Sequence, residues 1–234
     1  MLEWDSQFFG LRIARIEGNH LTAQGVNEVF QWCGEQKVEC LYFLCAPDDD
    51  DSVVIAEDTG FHLVDIRLEL SCPVPDQPIE LTEFVRHHRD FDLPELLEIA
   101  ADAYTDSRFY YDPKFTRKQA SILYREWIVK DCHGGADAVL IVPHKESVGG
   151  YITCHLESPD LGRIGLVGVN SHMRGAGIGR TLVNASLNYF RDQCVKEVRV
   201  VTQGRNITAQ RLYQSVGFRT CSLNIWYHKW LDQK

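Results

Sequence analysis

The 234-residue chain has no surplus of positive charge: 24 Lys and Arg stand against 33 Asp and Glu, a net charge of -9. That balance excludes nonspecific binding to nucleic acid or to anionic membrane, both of which depend on a basic surface. No apolar run approaches the roughly 18 residues of a spanning helix. The opening "MLEWDSQFFG" places Glu3 and Asp5 where a signal peptide carries positive charge, so a soluble cytoplasmic protein is expected. The eight cysteines form no C-x-x-C and no metal-ligand spacing with histidine. They are expected to be reduced thiols acting as small hydrophobes, Cys45 in "LYFLCAP" and Cys154 in "YITCHLE" among them, and no metal is expected. Asp48 to Asp51 lack the glycine and distal glutamate of a calcium loop and read as a solvated turn.

What is present is an ordinary globular composition, 44% apolar and 11% aromatic, enough for one large domain or two small ones. Pro73, Pro75 and Pro78 in "SCPVPDQP" predict an extended linker over 73–78 between an N-terminal α/β lobe, 1–72, and a larger domain, 79–234. In the latter, "FDLPELLEIAADAY" and "KQASILYREWIVKDC" have helical periodicity. Four strands follow, "ADAVLIVP", "VGGYITCHLE", "RIGLVGV" and "VKEVRVVTQ", with a helix before the fourth and another from about Asn206 to Val216, then a final strand pair. The fold class is α/β with a mixed sheet. The lobe holds an echo of the domain, because "EDTGFHLVDIRLEL" matches the layout of "QSVGFRTCSLNIWY" 157 residues on, from Gly60 to Gly217. The first lobe thus reads as a truncated copy of the second.

The residues "RGAGIGR", 174–180, lie between the strand "RIGLVGV" and an amphipathic run in which Ile178, Leu182, Ala185 and Tyr189 form one stripe. Glycines at 175, 177 and 179 before a helix N-terminus predict an anion cradle, unless this is a flexible turn with two solvated arginines. It is not a dinucleotide fingerprint, since counting from Gly175 puts Arg180 where the third glycine belongs, nor a P-loop, since no lysine follows Gly179.

What remains, Arg174-x-x-Gly177-x-Gly179, resembles the acetyl-coenzyme A signature of the GNAT superfamily of N-acyltransferases, and "NITAQRLYQSVGF", 206–218, is similar to that family's second motif. The resemblance spans about residues 80–234. It implies an acetyl-CoA-dependent N-acetyltransferase whose pyrophosphate rests on backbone N–H groups from Gly175 through Ala176, Gly177, Ile178 and Gly179 to Arg180, with charge from Arg174 and Arg180. It also implies that Leu166, Val167, Gly168 and Val169 pair with the pantetheine arm, with the Val167 N–H as oxyanion donor. Asn206 would touch the same arm, and Tyr213 would protonate the departing thiolate. On a helix these two share a face about 10.5 Å apart. Taken without the motif, Asn206 is a helix N-cap and Tyr213 a core aromatic.

The general base is unmarked; His155 and Glu157 of "YITCHLE" share a strand face and are its candidates. Likeness over the whole chain to family members that acetylate nucleotide-linked amino sugars, in bacterial surface-polysaccharide synthesis, implies dTDP-4-amino-4,6-dideoxygalactose as acceptor. The loop "DSRFYYDP" would then bind it, Arg108 on a phosphate and Phe109, Tyr110 and Tyr111 on the base or sugar. Two alternatives stand beside this: an enzyme acting on a protein N-terminus, amino acid or polyamine, and a non-catalytic acyl-CoA sensor. The partner expected is a small molecule, with a homodimer left open.

Overall fold

In the computed structural model, which describes residues 1–145 and 147–231, nine strands make one mixed sheet ordered β1-β2-β9-β3-β8-β7-β6-β5-β4. The N-terminal segment supplies α1 (Glu3–Phe9), β1 (Ile13–Arg15), α2 (Ala23–Glu35), β2 (Cys40–Cys45), α3 (Asp50–Asp58) and β3 (His62–Pro73). Then come β4 (Arg86–His87), α4 (Leu93–Ala103), α5 (Arg108–Tyr111) and α6 (Arg117–Lys130). They are followed by β5 (Ala138–His144), β6 (Ser147–Ser158), β7 (Leu161–Val169), α7 (Ile178–Asp192), β8 (Glu197–Gln203), α8 (Ile207–Val216) and β9 (Arg219–Trp230).

The elements follow from local signals. Thr116 and Gln119 form a reciprocal capping box that starts α6. Asn206 caps α8 by accepting the Ala209 N–H at 2.9 Å, and Gly217, at φ 108°, ends it. The apolar stripe of α7 is buried at Ile178, Leu182, Ala185 and Phe190 against β5–β8. One face of the sheet carries α2 and α3 at one end and α7 and α8 at the other; α1 and α4–α6 cover the opposite face.

Two expectations change. The residues after Phe218 form not a strand pair but one 12-residue strand, β9, which inserts between β2 and β3. The sheet is therefore continuous across the expected boundary, Pro73 ends β3, and residues of 1–72 such as Phe9 and Tyr42 share a core with Leu96, Tyr124 and Tyr151. The linker prolines stop a ladder; they do not divide the core.

The internal echo is exact in three dimensions. Adding 157 carries His62–Pro73 onto Arg219–Trp230 and Cys40–Cys45 onto 197–202. The pairing register maps as well: Cys40 faces Trp230 as Glu197 faces Pro73, and Cys45 faces Ile225 as Thr202 faces Leu68. Even the irregularities in the β3–β9 ladder, at Val64 and Cys221, are equivalent. The α2–β2–α3–β3 and α7–β8–α8–β9 segments are two half-units related by a local twofold between β3 and β9, each lending its last strand to the other. The helix ends agree too, since Phe61 N–H donates to Ala56 O at 2.9 Å as Phe218 N–H donates to Tyr213 O at 3.1 Å.

Candidate active site

A cleft opens where two parallel strands diverge. β7 and β8 pair from Leu161–Glu197 only to Ile164–Val200, and beyond that Leu166, Val167 and Val169 face Val201, Thr202 and Gln203 across a gap of about 470 Å³. A bulge drives the divergence: Thr153 of β6 opposes both Gly165 and Leu166, the register breaking between Ile152 and Cys154. The Leu166 N–H donates to Thr153 Oγ1 at 2.8 Å, and the Asn170 N–H to Gly149 O at 2.9 Å, both toward β6. By strand alternation the N–H and C=O groups of Val167 and Val169 point the other way, into the gap. Gly168 keeps β7 close to its neighbours, for a Cβ there would lie 2.7 Å from Tyr151.

The glycine loop stands at the cleft mouth. Gly175 and Gly177 both have φ of 86°, and Gly177 forms the left-handed entry to α7, with open space beside it. The first-turn N–H groups of α7 are without partners inside the helix and face outward beside Arg174. Arg174, 53% exposed, reaches across to Asp102 Oδ2 at 3.3 Å, and Arg180 is exposed. Gly179 serves packing instead: a Cβ there would meet Leu212 of α8 at 3.1 Å. Ile178 is a core residue, so only its backbone faces the mouth.

Asn206 and Tyr213 line the same cleft, with Asn206 also the cap of α8. Tyr213 is 5% exposed and tilts against Phe218 at 5.8 Å, and burial pushes its phenol well above the ordinary range, so it stays protonated. Tyr104, Tyr124 and Trp127 complete the wall; the Tyr104 ring stacks on Tyr124 at 4.2 Å and its hydroxyl shares a 3.0 Å hydrogen bond with Tyr151. No sequence motif marked Tyr104; Tyr124 and Trp127 could have been found only as an i, i+3 aromatic pair on the helix in "YREWI".

On the expected acceptor side, Arg108 lines the cleft. Its guanidinium is clamped between Phe109 and Trp226, each ring centre 4.4 Å away, with Tyr42 at 5.4 Å. Phe109 departs from expectation: at 1% exposure it packs on Phe9 and Phe115 and has no surface left for a ligand. Tyr110 is half-buried beside the same core, and Tyr111 is exposed with Arg205 3.6 Å over its ring. Behind Arg108, His228 is fully buried and stacks on Tyr42 at 4.3 Å. Its Nδ1 lies 2.7 Å from Asp112 Oδ2, which also accepts the Trp230 indole N–H at 2.9 Å. Burial pushes the His228 imidazole down to about 4, so it is neutral at pH 7 and donates to Asp112. Glu157 is exposed and held by Arg163, outside the cleft lining, whereas His155 lies in an adjoining recess.

The matching positions of the N-terminal half-unit lack these residues. Gly18 keeps the φ of Gly175, 85° against 86°, and Asp49 caps α3 as Asn206 caps α8. Yet Glu17, His20, Ala23 and Ala56 stand where the other half has Arg174, Gly177, Arg180 and Tyr213. One cleft, not two, carries the set.

Residues 93–218, more than half of the chain, match the Acetyltransferase (GNAT) family. The chain belongs to that family. Among relatives, it is 25% identical over 234 residues to dTDP-fucosamine acetyltransferase of Escherichia coli O6:H1, with 97% of this chain and 96% of that protein covered. It is 29% identical over 139 residues to the spore coat polysaccharide biosynthesis protein SpsD of Bacillus subtilis, a match that takes in 59% of this chain and spans only 48% of that protein. Mycothiol acetyltransferase of Kocuria rhizophila is 34% identical over 71 residues, 30% of this chain and 23% of that one. The GNAT fold recurs in a GCN5-related N-acetyltransferase from Sphaerobacter thermophilus at TM-score 0.66 and 18% identity, covering 88% of this chain and 67% of that one. It recurs too in a tandem GNAT protein from the clavulanic acid pathway, at TM-score 0.59 and 15% identity, covering 94% and 76%.

Proposed function

We propose that the protein transfers the acetyl group of acetyl-CoA to the amino group of a nucleotide-linked amino sugar, dTDP-4-amino-4,6-dideoxygalactose, in surface-polysaccharide synthesis. The observation that carries the acceptor is the likeness to dTDP-fucosamine acetyltransferase over nearly the whole of both chains, residues 1–72 included. Mycothiol acetyltransferases match over 30% of this chain in Kocuria rhizophila and 74% in Propionibacterium freudenreichii, but over only 23% and 56% of their own lengths, and support no more than the shared acetyl-CoA machinery.

The residues present fit acetyl-CoA. The N–H groups of the 175–180 loop and Arg174, freed from Asp102, would hold the pyrophosphate. The free edge of Val167 and Val169 would pair with the pantetheine arm as with an added strand, with Asn206 lining the same cleft. The Val167 N–H would donate to the thioester oxygen as negative charge develops, and Tyr213 would supply the proton that the departing thiolate requires. Arg108, packed against the Phe109 and Trp226 rings, would offer its guanidinium N–H groups to an acceptor phosphate. The role given to Phe109 passes to Trp127 and Tyr124, aromatic faces that do line the cleft.

The test is turnover of acetyl-CoA against a panel of amino-sugar nucleotides, peptides and polyamines, read by thiol release. The amino-sugar nucleotide should be turned over at least 10²-fold faster than the others, because a diphosphate contributes charge-assisted contacts that a peptide lacks. Efficient acetylation of peptides or polyamines with no reaction of any amino-sugar nucleotide would refute the acceptor assignment.

A further inference from the structure

Beside the cleft, the end of α6 and the strands β6 and β7 enclose a recess lined by Trp127, Lys130, Asp131, His155, Arg163 and Leu166. Trp127, Gly165 and Leu166 line both spaces, so the recess opens on the point where β7 leaves β8. Alternation along β6 sets Tyr151, Thr153 and His155 on one face, the face covered by α4 and α6, and the bulge turns Gly165 and Leu166 toward it. His155 lies flat against that bend: a Cβ on Gly165 would stand 2.5 Å from Nε2, so only glycine leaves the ring its place.

Two polar groups stand beside Nε2. Nε2 is 3.4 Å from Thr153 Oγ1, the oxygen that accepts the Leu166 N–H, and 3.6 Å from Asp131 Oδ2. Asp131 is brought there because α6 runs into a widened turn, closed by the Ala136 N–H donating to Asp131 O at 3.3 Å. The side chains of His155 and Asp131 are 15% and 11% exposed, desolvated yet reachable from the recess. Among the described residues His155 is the one imidazole lining either the cleft or the recess. The other candidate, Glu157, is taken up by Arg163. The hydroxyls of Tyr104 and Tyr213 are pushed up by burial and stay protonated, so neither offers a base.

We propose that His155 is the general base of acetyl transfer, taking the amine's proton on its imidazole, with Asp131 and Thr153 as positioning residues. The amine nitrogen adds its electron pair to the thioester carbonyl carbon, forming the C–N bond, and the proton it then carries passes to the imidazole. The C–S bond breaks, and the sulfur leaves with the Tyr213 phenolic proton. His155 releases its proton to water in the recess and Tyr213 regains one through the cleft, so amine and thioester become amide and thiol. The charges facing His155 are Asp131 and Lys130 from the α6 end, Arg163 from β7 with its partner Glu157 from β6, and Asp137, whose carboxylate accepts the Leu156 N–H at 2.7 Å. Asp131 favours the imidazolium that forms, while Lys130 and Arg163 favour its return to neutrality.

The proposal rests on the acetyl-transfer reading, and its test is the pH dependence of kcat and kcat/KM for His155→Gln and the split between kcat and KM for Asp131→Asn. The acceptor is dTDP-4-amino-4,6-dideoxygalactose or, if that sugar is inert, whichever amine of the panel is turned over. For His155→Gln, kcat should fall by about 10²-fold or more at pH 7 while the affinity for acetyl-CoA stays within twofold. The deficit should shrink at high pH, as the amine loses its proton without help. For Asp131→Asn kcat should fall by about tenfold while the KM of each substrate stays within twofold, as loss of a positioning group without loss of binding requires. A His155→Gln enzyme that keeps the parent's acidic limb and a rate within threefold overturns the proposal. So does loss of acetyl-CoA binding in His155→Gln together with an unchanged kcat in Asp131→Asn, which would make His155 a packing residue. An inert sugar beside a reactive peptide or polyamine overturns the acceptor reading alone, and acetyl-CoA bound without turnover of any amine overturns both.

Discussion

Removing one oxygen from Tyr213 separates chemistry from fold. In Tyr213→Phe the ring keeps its packing against Phe218, 5.8 Å between centres, and its place in the core with Leu182 and Val200. The hydroxyl is not among the buried polar atoms lacking a partner, and no group among the described residues depends on it, so its loss leaves no orphan behind. The stability cost should stay below about 1 kcal/mol, which shifts Tm by roughly 2–4 °C in a domain of this size. The rate should suffer more. Burial holds the phenol protonated at neutral pH, so without it the thiolate must leave unprotonated or take a proton from water. General acids contribute about 10² to 10⁴-fold, and the lower bound corresponds to about 2.7 kcal/mol of barrier at 1.36 kcal/mol per decade. Thiol release at saturating acetyl-CoA and acceptor gives kcat, and calorimetry gives the cofactor's Kd, which should change less than twofold. Unchanged kcat in a variant that binds acetyl-CoA normally would refute the assignment and leave Tyr213 a packing residue.

Gly177→Val should abolish acetyl-CoA binding by calorimetry, because φ of 86° is open to glycine and strained for a β-branched residue by about 1–3 kcal/mol, and the new side chain enters the space beside the helix N-terminus. Arg108→Gln should raise the acceptor's KM by about tenfold while leaving that for acetyl-CoA unchanged, as initial-rate kinetics with each substrate varied will show. Stability should fall as pH drops from about 6.5 toward 4. His228 is held neutral in the fold, the unfolded chain takes up the proton first, and each pH unit costs up to about 1.4 kcal/mol until the folded imidazole also titrates. Urea denaturation at several pH values measures that slope, and His228→Gln should flatten it.

Much of the cofactor half was legible in the order of residues because each of its signals is local. A positive φ at Gly177, a cap at Asn206 and a left-handed stop at Gly217 are properties of a few neighbouring residues, and their spacing survives without knowledge of what packs around them. The 157-residue echo was likewise visible as a glycine-phenylalanine stop before a strand, at Gly60 and again at Gly217. What those signals do in space depends on distant partners. Gly179 resembles its neighbours in sequence, but Leu212 decides that it serves helix packing. Phe109 and Tyr111 belong to one four-residue helix, yet Phe9 and Phe115 bury the first while the second is left in solvent.

Tertiary structure alone decided the Arg108 wall of the cleft and the architecture. That β9 lies between β2 and β3, fusing both half-units into one sheet, is a matter of non-local pairing that strand propensity does not express. The gap exists because a single residue of β6, Thr153, faces two in β7, and no sequence rule placed that bulge. His155 and Glu157 were equivalent by alternation; Arg163 engages one, while Asp131, Thr153 and the bare face of Gly165 gather round the other. The amino-acid order thus determined the glycine loop and the helix that bears Tyr213, since short-range backbone geometry specifies both. Long-range packing determined which side chains stand opposite them.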